Sequence, residues 1–432
     1  MSTPLTRILE DRSSGRFLRT FAEQARSMPN SYCQLQSVDG RECVIDGKKL
    51  LNFNAINYLG LENDSRLIEA AREAIGRWGT LAGSARAAAE VKLFGALEDR
   101  IAGWLGVDNV IVYTTVTLAN HGIIPLLMRK GSLLLMDREA HNSVQRSCIE
   151  AKGMGAKVLQ FKHDDFRQLE AQLRVHRRQH GHALIALDGV YSMSGTYLNL
   201  PRYQELADDY AAILYIDDAH GFGVVGPQGR GIVSHFDAKY DNTIYVASLE
   251  KGLASLGGFV VVPKAFRDYV RFNSYTYIYA GQLPPPYLAS ALAAFDVLDE
   301  EGPQRLSRLR LHISHCKREL TSMGFEIVGE NQPFPLIMVK IGQLEEAARV
   351  SQFFYDEGIH ILTVGFPVVP KSRGLMLRIS LSASHTEAQV ERLIAAFRRF
   401  RAQSNSVAAP VDVQHGEVQH EVLKSSSSFI AA

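Results

Sequence analysis

Cysteine is scarce: four among 432 residues, at Cys33, Cys43, Cys148 and Cys316. No two stand in a CxxC spacing, which argues against a zinc ribbon or a disulfide framework, and no metal site is expected. Reduced thiols in a cytosol fit this usage, so a cytoplasmic location is expected. An excess of charge is also missing. The formal net charge is +1, so nothing in the balance points to nucleic acid or an acidic membrane surface. Long hydrophobic runs are absent as well. The longest, such as LGGFVVVP, are far too short to cross a bilayer. The first residues, MSTPLTRILEDRSSGRF, are polar and charged, without the apolar stretch of a signal peptide. No short-period repeat is visible. Residues 403–432 lack periodicity and end near a serine run; they are expected to form a disordered tail.

What is present is ordinary for a globular protein: 46% apolar and 22% charged residues. Apolar, Val/Ile/Leu-rich segments at 109–115, 132–137, 157–161, 183–189, 212–218 and 243–248 read as strands buried on both faces. Amphipathic helices are expected at 65–78, 93–106, 141–155 and 201–211. Strands alternating with helices give an α/β fold with a large, mostly parallel sheet. Past about residue 300 long charged helices alternate with two apolar segments, which suggests a smaller C-terminal α+β domain. The expected division is 1–55 as an N-terminal segment, 56–298 as the large domain, 299–402 as the small domain, then the tail.

In parallel α/β sheets ligands bind beyond the carboxyl ends of the strands. Polar residues gather there. Asp217 and His220 follow one strand, Asp188 and Ser192 another, Ser248 and Lys251 a third, and His141 a fourth. Each has an ordinary alternative. A loop lysine or histidine is usually solvated, and an aspartate before a helix is often only a cap. Together they suit a pyridoxal phosphate site. That chemistry needs an amine to capture an aldehyde, an anion beside a pyridine nitrogen, a flat group against a ring, and amides or hydroxyls for a phosphate.

The segments NYLGL (57–61), AGSAR (82–86), DREAHNS (137–143), DGVYSMSG (188–195), DDAHGFGVVGPQGRG (217–231), SLEKGLASLGG (248–258), LPPP (283–286) and, within 365–385, GFPVVP and LRISLSASH carry a family pattern. The chain resembles the α-oxoamine synthases, with the fold-type-I architecture of the pyridoxal phosphate aminotransferases, over most of its length. The resemblance implies pyridoxal 5'-phosphate as cofactor. It gives Lys251 the role of Schiff-base lysine and proton shuttle, and Asp217 that of partner to the pyridine nitrogen. It gives His220 and Ser192 to the ring's phenolic oxygen, His141 to stacking on the ring, Ser248 to the phosphate, and Arg378 to the substrate carboxylate. The implied reaction is a decarboxylative Claisen-type condensation of an amino acid with an acyl thioester, in a homodimer with the site at the subunit boundary. An aminotransferase, a lyase or a decarboxylase on the same fold is the second reading. A non-catalytic partner subunit is the third, and the retained Lys251 argues against it.

Several positions depart from the family pattern. Thr115-Val116-Thr117 stands where Ser-Gly-aromatic is usual, opening the phosphate-binding helix; valine there requires a negative φ. Hydroxyls of Thr115 and Thr117 are candidate replacements for lost contacts. Ile56 replaces an asparagine that contacts substrate. Glu250 replaces a small residue beside Lys251, and if buried would favour the ammonium form. Ala280-Gly281-Gln282 replaces a Ser/Thr-containing stretch, and the loop after Arg86 lacks a glycine and a histidine.

Overall fold

A computed structural model describes residues 3–13, 26–31, 33–366 and 368–407. After a helix at Pro4–Ser13 come three strands: β1 (Leu35–Val38), β2 (Glu42–Ile45) and β3 (Lys48–Asn52). Then come β4 (Val110–Tyr113), β5 (Ser132–Asp137), β6 (Lys157–Phe161) and β7 (His182–Asp188), followed by a short pair, β8 (Val190–Tyr191) and β9 (Thr196–Tyr197). β10 (Ile213–Asp217), β11 (Thr243–Ser248) and β12 (Gly258–Val261) complete the large sheet. Its seven strands lie in the order β4-β12-β11-β10-β7-β5-β6. All neighbours run parallel except β12, which is antiparallel to both β11 and β4.

The apolar strands need cover on both faces, and alternation divides their side chains between two cores. Leu133, Leu135, Ile185, Leu187, Leu214 and Ile216 enter one buried cluster. Leu134, Met136, Leu184, Ala186 and Tyr215 enter the other. Each such leucine or isoleucine contributes roughly 1.5–3 kcal/mol over the exposed state. The apolar runs stop at a polar residue on the same edge: Asp137, Asp188, Asp217 and Ser248, all buried. Polar groups at those depths require partners, and this edge is where they meet.

The expected strands at 132–137, 157–161 and 243–248 and the helix at 65–78 appear with those bounds. β12, inside LGGFVVVP, was not anticipated. A short apolar run between glycine and proline cannot be assigned by periodicity. The helix Pro285–Ser322 runs unbroken from beside the large sheet to a second sheet. That sheet has the order β13-β14-β17-β16, from β13 (Ile327–Val328), β14 (Leu336–Gly342), β16 (Leu362–Val364) and β17 (Leu375–Ser380). β15 (Ile359–His360) instead joins β3, tying the N-terminal strands to this part of the chain. The last helix, Glu387–Val407, covers the first residues of the expected tail; 408–432 lie outside the described residues. Among the described residues, no helix is long and apolar enough to cross a membrane.

Candidate active site

Asp217 ends β10 and is register partner to Asp188 on β7 and to Val246 on β11. Parallel pairing therefore sets Asp217 between Asp188 and the strand that leads to Lys251. Its Oδ1 accepts from the Ala219 N–H at 3.1 Å and its Oδ2 from the Asn120 amide at 2.8 Å. The same Asn120 amide nitrogen reaches Ser143 Oγ at 2.9 Å, and Asn120 Oδ1 accepts from the Tyr215 hydroxyl at 2.6 Å. Ser143 Oγ lies 2.7 Å from His141 Nδ1, which also accepts from the Ser143 N–H at 3.3 Å. One network thus joins the buried Tyr215, Asn120, Asp217 and Ser143 to the exposed His141. The His141 N–H is anchored separately, donating to both Asp188 oxygens at 3.0 Å. His141 and Ser192 line the same cavity, of about 570 Å³.

Burial shifts the charges here. It pushes the Lys251 ammonium below its ordinary value, while Asp217 pulls in the opposite direction. It drives the Asp188 carboxyl well above the usual carboxylate range, and the neighbouring Asp217 adds to that rise. His220 is held well below the usual imidazole value, first by burial and then by the Lys251 and Arg378 cations. His220 Nδ1 lies 2.7 Å from the Tyr58 hydroxyl oxygen, a contact that fixes the orientation of the ring. Glu250 is exposed; its N–H donates to Ser248 Oγ at 3.0 Å.

At the other end of the site the helix Val116–Leu127 begins. Val116 is absent from the left-handed positions, so the valine is unstrained. Thr115 is the N-cap, and its hydroxyl accepts from the Leu118 N–H at 3.2 Å, so that hydroxyl serves the helix. Thr117 is exposed. The Val116 and Thr117 N–H groups have no intrahelical acceptor, as in any first turn. Gly258 makes this entry possible: a Cβ there would lie 2.5 Å from the Val116 nitrogen. Gly258 is also the register partner of Ser248, which places that buried hydroxyl's strand end against the helix start.

Arg378 lies on β17, buried, with Nε lacking any hydrogen-bond partner. Among the described residues no carboxylate pairs with it. Burial lowers its basicity, and Tyr58 opposes that. Ile56 is half-buried and packs against the main core. The other departures support one another. Gln282 Nε2 donates to the carbonyls of Ser84 and Ala89 at 2.5 and 2.6 Å. Arg86, buried, pairs with Glu90 and Glu98 at 2.6 Å and stands 4.0 Å over the Phe94 ring. The residues that replace the usual pattern thus stitch the 84–90 loop in place.

Sequence reasoning placed Asp188 at the strand ends without a role, and missed Asn120, Ser143 and Tyr58 as parts of the site. Tyr58 and Ser143 lie within quoted motifs, but their partners His220 and Asn120 are distant in sequence. Asn120 stands one turn into the helix that starts at Val116, which is the available signal.

A family model for aminotransferase class I and II matches residues 48–397. The 8-amino-7-oxononanoate synthase of Symbiobacterium thermophilum is 32% identical over 367 residues, covering 85% of this chain and 92% of that protein. The serine palmitoyltransferase of Sphingobacterium spiritivorum is 32% identical over 376 residues, covering 86% and 92%. Among solved structures, the Sphingomonas wittichii serine palmitoyltransferase superposes with a TM-score of 0.85 at 25% identity, over 92% of this chain and 99% of that one. A serine palmitoyltransferase solved with PLP as its internal aldimine gives 0.85 at 26% identity, over 92% and 99%. The chain belongs to the aminotransferase class I and II family, in its α-oxoamine synthase branch.

Proposed function

We propose that this chain is a pyridoxal 5'-phosphate-dependent C-acyltransferase that condenses an amino acid with an acyl thioester and releases CO2. The observation that carries the reading is the buried Lys251 amine, made less basic by that burial against the pull of Asp217, just past the end of the strand that pairs with β10, which ends at Asp217. The residues present fit the cofactor. They offer an amine, a carboxylate fixed by two hydrogen bonds, and free N–H groups at a helix N-terminus beside Gly258.

When bound, pyridoxal phosphate supplies a carbonyl for amine capture and a ring that withdraws electrons from a carbanion. Lys251 Nζ, once neutral, takes the proton from the amino acid's Cα and returns one later. Asp217, oriented by Asn120 and Ala219, holds a ring N–H. His220, held at Nδ1 by the Tyr58 hydroxyl, is assigned to the ring's phenolic oxygen. Ser192 is assigned to the same oxygen and His141 to a ring face. Ser248, with the Thr115-Val116-Thr117 turn, is assigned to the phosphate; there Val116 and Thr117 contribute backbone N–H groups. Arg378 receives the amino acid's carboxylate, its planar fork matching two oxygens.

On this reading residues 56–298 bind the cofactor, residues 299–402 supply the guanidinium, and 1–55 and 403–432 flank them. A homodimer with the site at the subunit boundary, in the cytoplasm, completes the proposal. The test is release of labelled CO2 from each common amino acid with and without acyl thioesters. Release that depends on both the thioester and Lys251 supports the condensation. Release without a thioester sinks it and favours a decarboxylase.

A further inference from the structure

A second cavity, of about 380 Å³, lies beside the site against the small sheet, walled in part by Cys33, Leu344, Ala347 and Leu362. Phe366 and Val368 line both this cavity and the one that holds His141 and Ser192. Leu362 is the register partner of Arg378, so the two side chains leave the same face of the sheet. Met193 and Val369 of the first cavity and Leu362 and Val364 of the second share one apolar cluster with Met338 and Met376. Thioether chains adapt to changing shapes more readily than branched ones.

The two compartments differ in chemistry. The site cavity is lined by Arg138, Glu139 and Arg373. No Asp, Glu, Lys or Arg lines the second. Three of its polar members pair with one another: Asn54 Nδ2 lies 3.1 Å from His360 Nε2, and His360 Nδ1 lies 3.1 Å from Asn30 Oδ1. Burial holds His360 neutral, pushed down to about 4. Thr363, whose hydroxyl is unpartnered, alternates to the opposite face from Leu362.

We infer that this second cavity holds the alkyl chain of the acyl donor, with Leu362 and Phe366 setting how long a chain is accepted. The inference rests on the acyltransferase reading above. A volume of this size falls within the range of small-molecule pockets, roughly 300–1,000 Å³. An apolar, uncharged wall rewards hydrocarbon and rejects a carboxylate or phosphate. The thioester carbon then lies at the Arg378 end, where the amino acid's carboxylate is received.

The test uses the holoenzyme with straight-chain acyl thioesters from acetyl to palmitoyl, and free fatty acids of the same lengths titrated by calorimetry. In the wild type, kcat/KM rises roughly fourfold per methylene until the cavity is full. Ala347→Phe and, at the more open wall, Cys33→Trp narrow the cavity; Leu344→Ala widens it. Thermal melts verify that each variant folds. The expected result is an optimum moved to shorter chains in the narrowed variants and to longer ones in L344A, while KM for the amino acid stays within about twofold. Fatty-acid affinity follows the same order. Turnover with a chain-length profile unchanged in every folded variant overturns the cavity assignment and leaves the acyltransferase reading standing. Fatty acids that bind in the expected order, without any thioester-dependent turnover, overturn the acyltransferase reading and with it the acyl-donor assignment.

Discussion

The Asn120 amide sits 2.8 Å from Asp217 Oδ2, with its own carbonyl pinned at 2.6 Å by Tyr215. The acid proposed to meet the pyridine nitrogen is therefore aimed by a side chain 97 residues upstream. Asn120→Leu removes this aim and leaves the buried Tyr215 hydroxyl and Asp217 each short of a partner. A loss of about 1–3 kcal/mol in stability is expected. Weaker cofactor retention and a displaced visible band should accompany it, read by dialysis and absorbance. Asn120→Asp should act more severely on the spectrum, because a second carboxylate would contest the same proton.

Arg378 is buried without a carboxylate, an arrangement costly to the folded chain. Arg378→Met should raise the melting temperature, by about 1–3 kcal/mol in stability, while amino acid binding weakens at least a hundredfold. Spectral titration with amino acids gives the second quantity. Unchanged affinity would remove Arg378 from substrate recognition.

Asp218, next to Asp217, is buried and pushed up to about 7 by that burial. Its Oδ2 accepts from the Ile232 N–H and the Tyr245 hydroxyl, while Oδ1 has no partner. The folded chain thus binds the proton more tightly than the unfolded one. Stability from this group is full below about pH 4 and is lost as pH rises toward 7. Asp218→Asn removes the titration. The variant should gain on the wild type by up to about 4 kcal/mol between pH 4 and pH 8, measured by denaturant melts across that range.

Val116 occupies a first helical turn at negative φ. Restoring the glycine usual in the family should therefore bring no relief of strain. Val116→Gly is expected to cost about 0.5–1 kcal/mol through backbone entropy, with cofactor affinity little changed. A gain in stability would contradict the geometry.

The strand ends were legible because each apolar run halts at a polar residue, and a buried sheet makes that edge conspicuous. Lys251, Asp217, His141 and Ser192 all followed from it. Arg378 was reachable only through resemblance, since nothing around LMLRIS distinguishes a pocket guanidinium from a surface one. Tyr58 and His220 are 162 residues apart, and no local pattern announces their 2.7 Å contact. β12 escaped because an apolar stretch of four residues has too little periodicity to classify. Valine at 116 needed a negative φ, and whether it had one could not be read from the sequence. Here Thr115 caps the helix and the close approach is absorbed instead by Gly258.

The most direct measurement is borohydride reduction of the purified holoprotein followed by peptide mass mapping. The expected result is a single pyridoxyl adduct on Lys251, with the visible band abolished in Lys251→Ala. An adduct on any other lysine, or a colourless protein that takes up no pyridoxal phosphate, would contradict the account.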